Sequence, residues 1–448
     1  MMLAQAAPAR SVNSRIFAGL ATVATLAAIV RAAGGFKIIA MAHVLGASAK
    51  LDAFLFAFLV PSFFSDVVAS SLTSGIIPVL TSIRVQHDEG RTHRLTASIL
   101  AASTVLLLII ACTLALLAKP IVELRGASGA ATNELARALL WGLLPWLPLM
   151  GPIVCWRAIL NMHEQFVVAA AAPVATPVLT IFLLYIGGRD AGVQVLCYGT
   201  WGGALIEALV VAWAVRQMGY PLLPRWSGWT PDLRAVCKQY LPVAAGALII
   251  SGSALVDQAF ASRLTPGTLS ALSYGTKLTG VVLTIAGTAL TTAALPYLSR
   301  MSASRDWHAF RHTVTRYAIA AVLAGAAAAA VLIFLSGPLV RGVLQHGAFT
   351  AQASSAVTIL QRFSLLQLPL AFLLALGFAT AAALKANRLM LTIAPLALFT
   401  TLLFDYTLMR LFGAPGIAVS PALTDAVCLT VLFVLLRPTM RRKQFTTI

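Results

Sequence analysis

Twelve predominantly apolar runs, each long enough to cross a lipid bilayer, constrain this chain more than any other feature. A hydrocarbon core about 30 Å thick takes roughly 20 apolar residues as a helix. On that scale the spans fall near residues 16–43, 52–83, 96–118, 134–160, 166–187, 194–215, 239–262, 269–298, 312–336, 354–384, 389–411 and 415–436. Inside lipid a segment must satisfy its own backbone N–H and C=O groups, so runs of this length are helices. Charged residues make up 10% of the chain, far below the roughly 25% of a soluble domain. The fold class is therefore all-α and integral to the membrane. The apolar stretch after Arg10 and Arg15 continues to about Leu45. A cleaved signal peptide's apolar region is only about 7–15 residues long, so this helix is expected to stay in the bilayer.

The excess of 32 Lys and Arg over 14 Asp and Glu need not indicate nucleic acid. In a polytopic protein it follows from cationic loops on the cytoplasmic side, and no nucleic-acid partner is expected. Arg10, Arg15, Arg84, Arg91, Arg94, Arg216, Arg225, Arg234, Lys238, Arg300, Arg305, Arg311, Arg316, Lys385, Arg388, Arg437, Arg441, Arg442 and Lys443 fall on one set of loops. The opposite set carries little beyond Lys50, Lys119, Arg125, Arg189, Arg263, Arg341 and Arg410. Both termini are accordingly expected in the cytoplasm. The five cysteines, Cys112, Cys155, Cys197, Cys237 and Cys428, follow no metal or redox spacing, and free thiols are expected.

The longest polar interruption, GYPLLPRWSGWTPDLRAVCKQY at 219–240, holds three prolines and two tryptophans. It suits a connector at headgroup depth, anchored by Trp226 and Trp229. It divides the chain into an N-terminal lobe at 1–215, the connector at 216–238, a C-terminal lobe at 239–436 and a basic tail at 437–448. Shifting residues 51–84 by 218 positions aligns Leu51 with Leu269, Leu72 with Leu290, Thr73 with Thr291 and Pro78 with Pro296. Six spans per half imply a parallel repeat, an arrangement in which transporters hold substrate between the halves.

Charges inside the spans are where function is expected, because hydrocarbon penalises each by several kcal/mol or more. Arg31 and Lys37 lie on the first span with Gly34 and Gly35 between them. Those glycines would let the helix bend or another backbone approach. The two cations can converge on an anion; equally, Arg31 can pair with Asp52 or Asp66 while Lys37 snorkels. Pro61 and Pro78 lie inside the second span, where proline kinks a helix. Lys277 lies inside the eighth span, aligned with Leu59 of the first half, so the repeat does not account for it. Asp257, Asp405 and Asp425 lie deep in the seventh, eleventh and twelfth spans, near the hydroxyls of Thr401, Ser420 and Thr424. Such oxygens suit Na⁺ or a proton. The structural alternative is hydrogen bonding to Arg362 or Arg410. No catalytic residue, nucleotide loop or metal cluster stands out, and neither an enzyme nor a tightly held cofactor is expected.

Several stretches resemble the MurJ (MviN) family of lipid II flippases, within the superfamily of drug and lipid–oligosaccharide exporters. RAAGGFK supplies Arg31, Gly34 and, at a position usually arginine, Lys37. VLGASAKLDAF supplies Asp52. VDQAFASRLTPGTLSALSYGTKL resembles the seventh and eighth helices, with Lys277 in place of arginine, and HGAFTAQAS and FGAPGIAV resemble later turns. The resemblance implies a V-shaped pair of six-helix lobes around a cationic cavity. That cavity would bind the pyrophosphate of an undecaprenyl-linked saccharide and carry it outward by alternating access. It implies Arg31, Lys37 and Lys277 as pyrophosphate ligands and Asp52 as a cavity residue; Asp66, Gly34, Gly35 and Pro61 are further candidates for cavity and gating roles. It also implies Asp257 and Asp405, with Thr401, for cation coupling, to which the nearby Ser420 adds a hydroxyl, the ion being Na⁺ or H⁺. Three departures stand out. Ser65 and Asp66 replace arginines, twelve spans are read where full members have fourteen, and lysine replaces bidentate arginine twice. They favour a divergent member serving an exopolysaccharide or other glycan pathway rather than peptidoglycan, in company with glycan-assembly enzymes, although lipid II itself stays among the expected substrates. A multidrug-type small-molecule exporter and a non-transporting scaffold of glycan assembly are the alternatives.

Overall fold

The computed structural model describes residues 12–85, 88–123, 125, 129–187, 192–386 and 388–445. Arg10, Arg189 and the last three residues of the expected tail lie outside them. The described residues form no strand. They fold into helices α1 (Val12–Leu45), α2 (Ala49–Val85), α3 (Glu89–Leu116), α4 (Ala118–Glu123), α5 (Ala130–Leu143), α6 (Trp146–Met162), α7 (Phe166–Ala171) and α8 (Ala175–Gly187). They continue with α9 (Gln194–Gln217), α10 (Pro231–Ala261), α11 (Thr268–Ala303), α12 (Trp307–Leu344), α13 (Ala351–Leu365), α14 (Leu368–Ala383), α15 (Arg388–Phe412) and α16 (Ala414–Phe445). Among the described residues twelve helical stretches are long and apolar enough to cross a membrane, and each overlaps one of the twelve expected spans.

Apolar length fixes the spans, but proline and local hydrogen bonding fix their breaks. The fourth span is two helices, because Pro145 lacks the N–H that would continue α5; Leu147 N instead donates to Leu144 O at 3.1 Å as α6 begins. The tenth span divides at Leu366 and Gln367, with Pro369 in the first turn of α14. The fifth is α7 and α8 joined by a 3-10 turn at Ala172–Val174. Pro61 and Pro78 both lie within α2, which runs unbroken from Ala49 to Val85. α10 starts with proline, where a missing N–H costs nothing, and the Thr230 hydroxyl accepts from Leu233 N at 3.2 Å. α16 extends through Phe445, into the expected tail.

Contacts group the chain into two compact units. The first comprises residues 1–40, 68–113 and 142–241. Within it the connector after α9 is tied to α3: Arg225 N donates to Ala97 O at 3.2 Å, and Ser227 N to Ser98 Oγ at 3.3 Å. Arg91 clamps Asp232 at the start of α10 through two 2.6 Å bonds. Trp226 and Trp229, ring against ring at 5.9 Å, stay exposed, as headgroup anchors would. α8 and α9 meet almost backbone to backbone. A Cβ on Gly203 would lie 2.3 Å from Thr176 Cα. Gly203→Ala is expected to destabilise the protein by about 1–3 kcal/mol, the usual cost of overpacking. Gly246→Ala, where nothing lies within 4 Å of the added carbon, is expected to be neutral or stabilising. Thermal unfolding of the purified variants checks the contrast.

The second unit comprises residues 41–67, 114–141 and 242–448. One apolar cluster joins Leu298 of α11, Phe310 of α12, Leu376 of α14 and Leu432 of α16. Another joins Ala321 and Ala329 of α12 to Leu365, Leu368 and Phe372 around the α13–α14 break. The chain before α2 is fitted to the turn before α13: Ala348 N donates to His43 O at 2.7 Å.

Candidate functional site: a buried acidic pair and intramembrane cations

Three helices of the second unit bring acidic groups and hydroxyls together. α10 runs beside α15, with Gly252 facing Leu398 and the Phe260 ring 6.4 Å from that of Tyr406. Between these contacts the Asp257 carboxyl adjoins that of Asp405. Asp405 is wholly buried, and the Ser420 hydroxyl of α16, equally buried, reaches it. Thr401 is one turn before Asp405, and its Oγ1 lies 3.4 Å from that of Thr424, one turn after Ser420. The groups touch without completing well-formed hydrogen bonds. Asp257 Oδ1, both Asp405 oxygens and Ser420 Oγ are buried without such a partner among the described residues.

This satisfies few of the requirements of a structural polar cluster. Buried polar atoms are normally hydrogen-bonded, and adjacent buried carboxylates repel unless a cation or a proton lies between them. Arg410 lies over the Tyr406 ring at 4.6 Å and Arg263 over Phe260 at 5.7 Å, while Arg362 is exposed. The alternative of hydrogen bonding to Arg362 or Arg410 is therefore not what the fold builds. Hard oxygen donors with unused lone pairs fit a small monovalent cation or a shared proton.

Asp425 has a different environment. Gln367 Nε2, at the α13–α14 break, donates to its Oδ2 at 2.9 Å. Gln367 carries no charge and falls in no motif, so sequence offered no sign of this partner. Glu207, given no role from sequence, is buried on α9 with Arg157 Nη1 at 3.5 Å from Oε1.

The cationic positions are divided between the units. Arg31 and Lys37, with Gly34 and Gly35, belong to the first; Lys277, Asp52, Pro61 and Asp66 belong to the second. Arg31 and Lys277 are exposed, and neither forms an ion pair among the described residues. Lys37 is half-exposed and Asp66 exposed, whereas Ser65 is buried. Among the described residues nothing lies within 4 Å of a Cβ built on Gly34 or Gly35, so no close backbone approach at these glycines is seen among them. Asp52 is buried and accepts from two amides at the start of α11: Gly267 N at 2.6 Å and Ser270 N at 2.7 Å. Its carboxylate is thus committed to a helix end. Sequence also passed over Arg125, a loop arginine that is fully buried.

Sixteen α-helices and twelve candidate spans among the described residues, with charges inside the spans, define the class of a polytopic helical membrane protein. The architecture matches a solved inward-facing multidrug resistance MATE family transporter of the MOP superfamily, with a TM-score of 0.71 and 16% identity, over 95% of this chain and 96% of that one. It matches a solved lipid II flippase MurJ in an inward closed conformation with a TM-score of 0.78 and 18% identity, over 94% and 90%. At such identities the likeness establishes the fold. The family comes from sequence: the model for lipid II flippase MurJ matches residues 41–448, and the chain belongs to that family. A probable lipid II flippase MurJ of Vibrio cholerae is 26% identical over 353 residues, 76% of this chain and 67% of that protein. The lipid II flippase MurJ of Burkholderia cenocepacia is 25% identical over 447 residues, 94% and 84% of the two chains. The named relatives are flippases, which are transporters and not enzymes.

Proposed function

We propose that this chain moves an undecaprenyl-pyrophosphate-linked saccharide, lipid II foremost, from the cytoplasmic to the outer leaflet of a bacterial inner membrane by alternating access. Both termini are cytoplasmic in this reading. The observation that carries it is the family match over residues 41–448. The spans supply the physical means. A sugar diphosphate carries two or so negative charges, and desolvating them is costly. Arg31, Lys37 and Lys277 offset that cost, as lysine and arginine do wherever phosphate is held. Asp257 and Asp405, with Ser420 and Thr401, take the coupling cation, Na⁺ or H⁺. A ligand drives a conformational change only through differential affinity for the two states; a bound cation beside this pair provides it by cancelling repulsion in one of them.

The replacement of expected arginines by Ser65 and Asp66 favours a second substrate, another pyrophosphate-linked glycan such as an exopolysaccharide repeat unit. Proteoliposomes holding the full chain, given fluorescent lipids that share one polyprenyl tail, separate the readings. Lipid II is expected to cross at least tenfold faster than a neutral-headed lipid, a ratio of about 1.4 kcal/mol. A faster rate for a pyrophosphate-linked saccharide without peptide would shift the assignment to the second glycan. Equal rates for charged and neutral heads would end the flippase reading and leave small-molecule export or a scaffold of glycan assembly.

A further inference from the structure

Arg125 lies between α4 and α5 and is the bulkiest fully buried side chain among the described residues, with 2% exposure. A buried guanidinium needs an opposite charge and hydrogen bonds to offset lost hydration. Its central carbon lies 6.0 Å from the centre of the Phe56 ring, and Nε and Nη1 have no hydrogen-bond partner among the described residues. Phe56 stands one helical turn beyond Asp52 on α2, so both side chains leave the same face. Arg125 therefore lies toward the face of α2 that carries the buried Asp52, with no ion pair within 4 Å joining the two among the described residues. Burial pulls the guanidinium below its ordinary pKa, and the charge of Asp52 pushes it back.

Asp52 in turn caps α11, whose N-terminus carries a partial positive charge. Gly267, with a φ of +90°, permits the approach, and a Cβ there would lie 3.2 Å from Ala47 O. Tyr274, one turn beyond Ser270, packs edge-on to Phe349 at 5.6 Å, and its buried hydroxyl has no partner among the described residues. With alternating spans, the connections at 46–48, 117–129, 262–267 and 345–350 all lie on one membrane face. Each of them contributes to this cluster, through Ala47, Arg125, Gly267 and Phe349.

We propose that Arg125 is a positioning residue: the buried counter-charge that keeps Asp52 aimed at the first turn of α11, and so keeps the 41–67 segment seated on that helix. The idea is independent of the lipid carried, and its test reads the seat directly. In a full-length variant lacking the five native cysteines, Ala47→Cys is labelled with a membrane-impermeant maleimide applied to the face that bears it. Arg125→Gln is expected to raise the labelling rate about tenfold, within the range of coupling between neighbours, and Arg125→Lys to leave it near the parent. In an Asp52→Asn background Arg125→Gln is expected to cause no further rise, because the charge it serves is gone. An equal rise in both backgrounds, or none in the parent, would overturn the assignment. Should Arg125→Gln fail to insert, the Asp52→Asn Arg125→Gln double variant is expected to recover insertion, since no lone buried charge remains. A double variant as poor as the single one would overturn it too.

Discussion

Asp405→Asn is expected to abolish the response of transport to an imposed Na⁺ or pH gradient, while leaving the protein inserted and at least as stable without the coupling cation. The asparagine keeps the shape of a wholly buried side chain and removes one of two adjoining negative charges, so repulsion from Asp257 falls. The same change removes the reason for a cation to bind. A site that binds only the folded state stabilises it by about 2.7 kcal/mol at a hundredfold excess over Kd. At roughly 2 °C per kcal/mol for a large chain, the wild type should melt about 5 °C higher with its coupling cation, whether sodium is added against choline or the pH is lowered. Asp405→Asn should show neither shift. Asp257→Asn should behave alike, because the pair acts as one site. Asp425→Asn should retain the shift, since Asp425 is held by Gln367 and lies outside the pair. A full thermal shift in Asp405→Asn would remove the acidic pair from the coupling scheme.

How much of this was legible in the sequence depends on which physical scale set each feature. The twelve spans were legible because the bilayer imposes one length on every one of them, and apolar runs of that length have no other stable form. The breaks at Pro145 and Gln367 were not. They depend on which backbone groups find substitutes, and a proline alone does not say whether a span bends, breaks or, as at Pro61, continues.

Charge was legible as an anomaly and not as a partnership. Asp257, Asp405 and Ser420 could be singled out as polar groups in apolar runs, and the resemblance joined them. Their meeting depends on α10 lying along α15, a property of packing. Asp52 was noticed for its charge and given a cavity or gating role; that its carboxylate accepts from the amides of Gly267 and Ser270 was not legible in the sequence. Arg125 was invisible for the opposite reason. On a loop an arginine is unremarkable, and only tertiary packing makes it the bulkiest buried side chain.

Lys277→Glu is expected to reduce translocation of a pyrophosphate-linked lipid at least a hundredfold without impairing insertion. Lys277 is exposed on α11 and forms no ion pair among the described residues, so no buried partner is left uncompensated by the change. What does change is the sign of its interaction with substrate. Turning +1 into −1 beside a diphosphate of about −2 alters the product of charges by about four. At about 6 Å even water's dielectric constant makes that about 3 kcal/mol, a factor of about 100. Lys277→Gln removes only half of the difference and should cost about tenfold, while Lys277→Arg, which adds bidentate geometry, should match or exceed the wild type. The graded order Arg, Lys, Gln, Glu in initial rates of lipid translocation, at equal protein in the membrane, is the signature of a charge that meets the substrate. If all three substitutions instead lowered the rate alike, Lys277 would be serving the packing of α11, and the anion would have to be sought at Arg31 and Lys37.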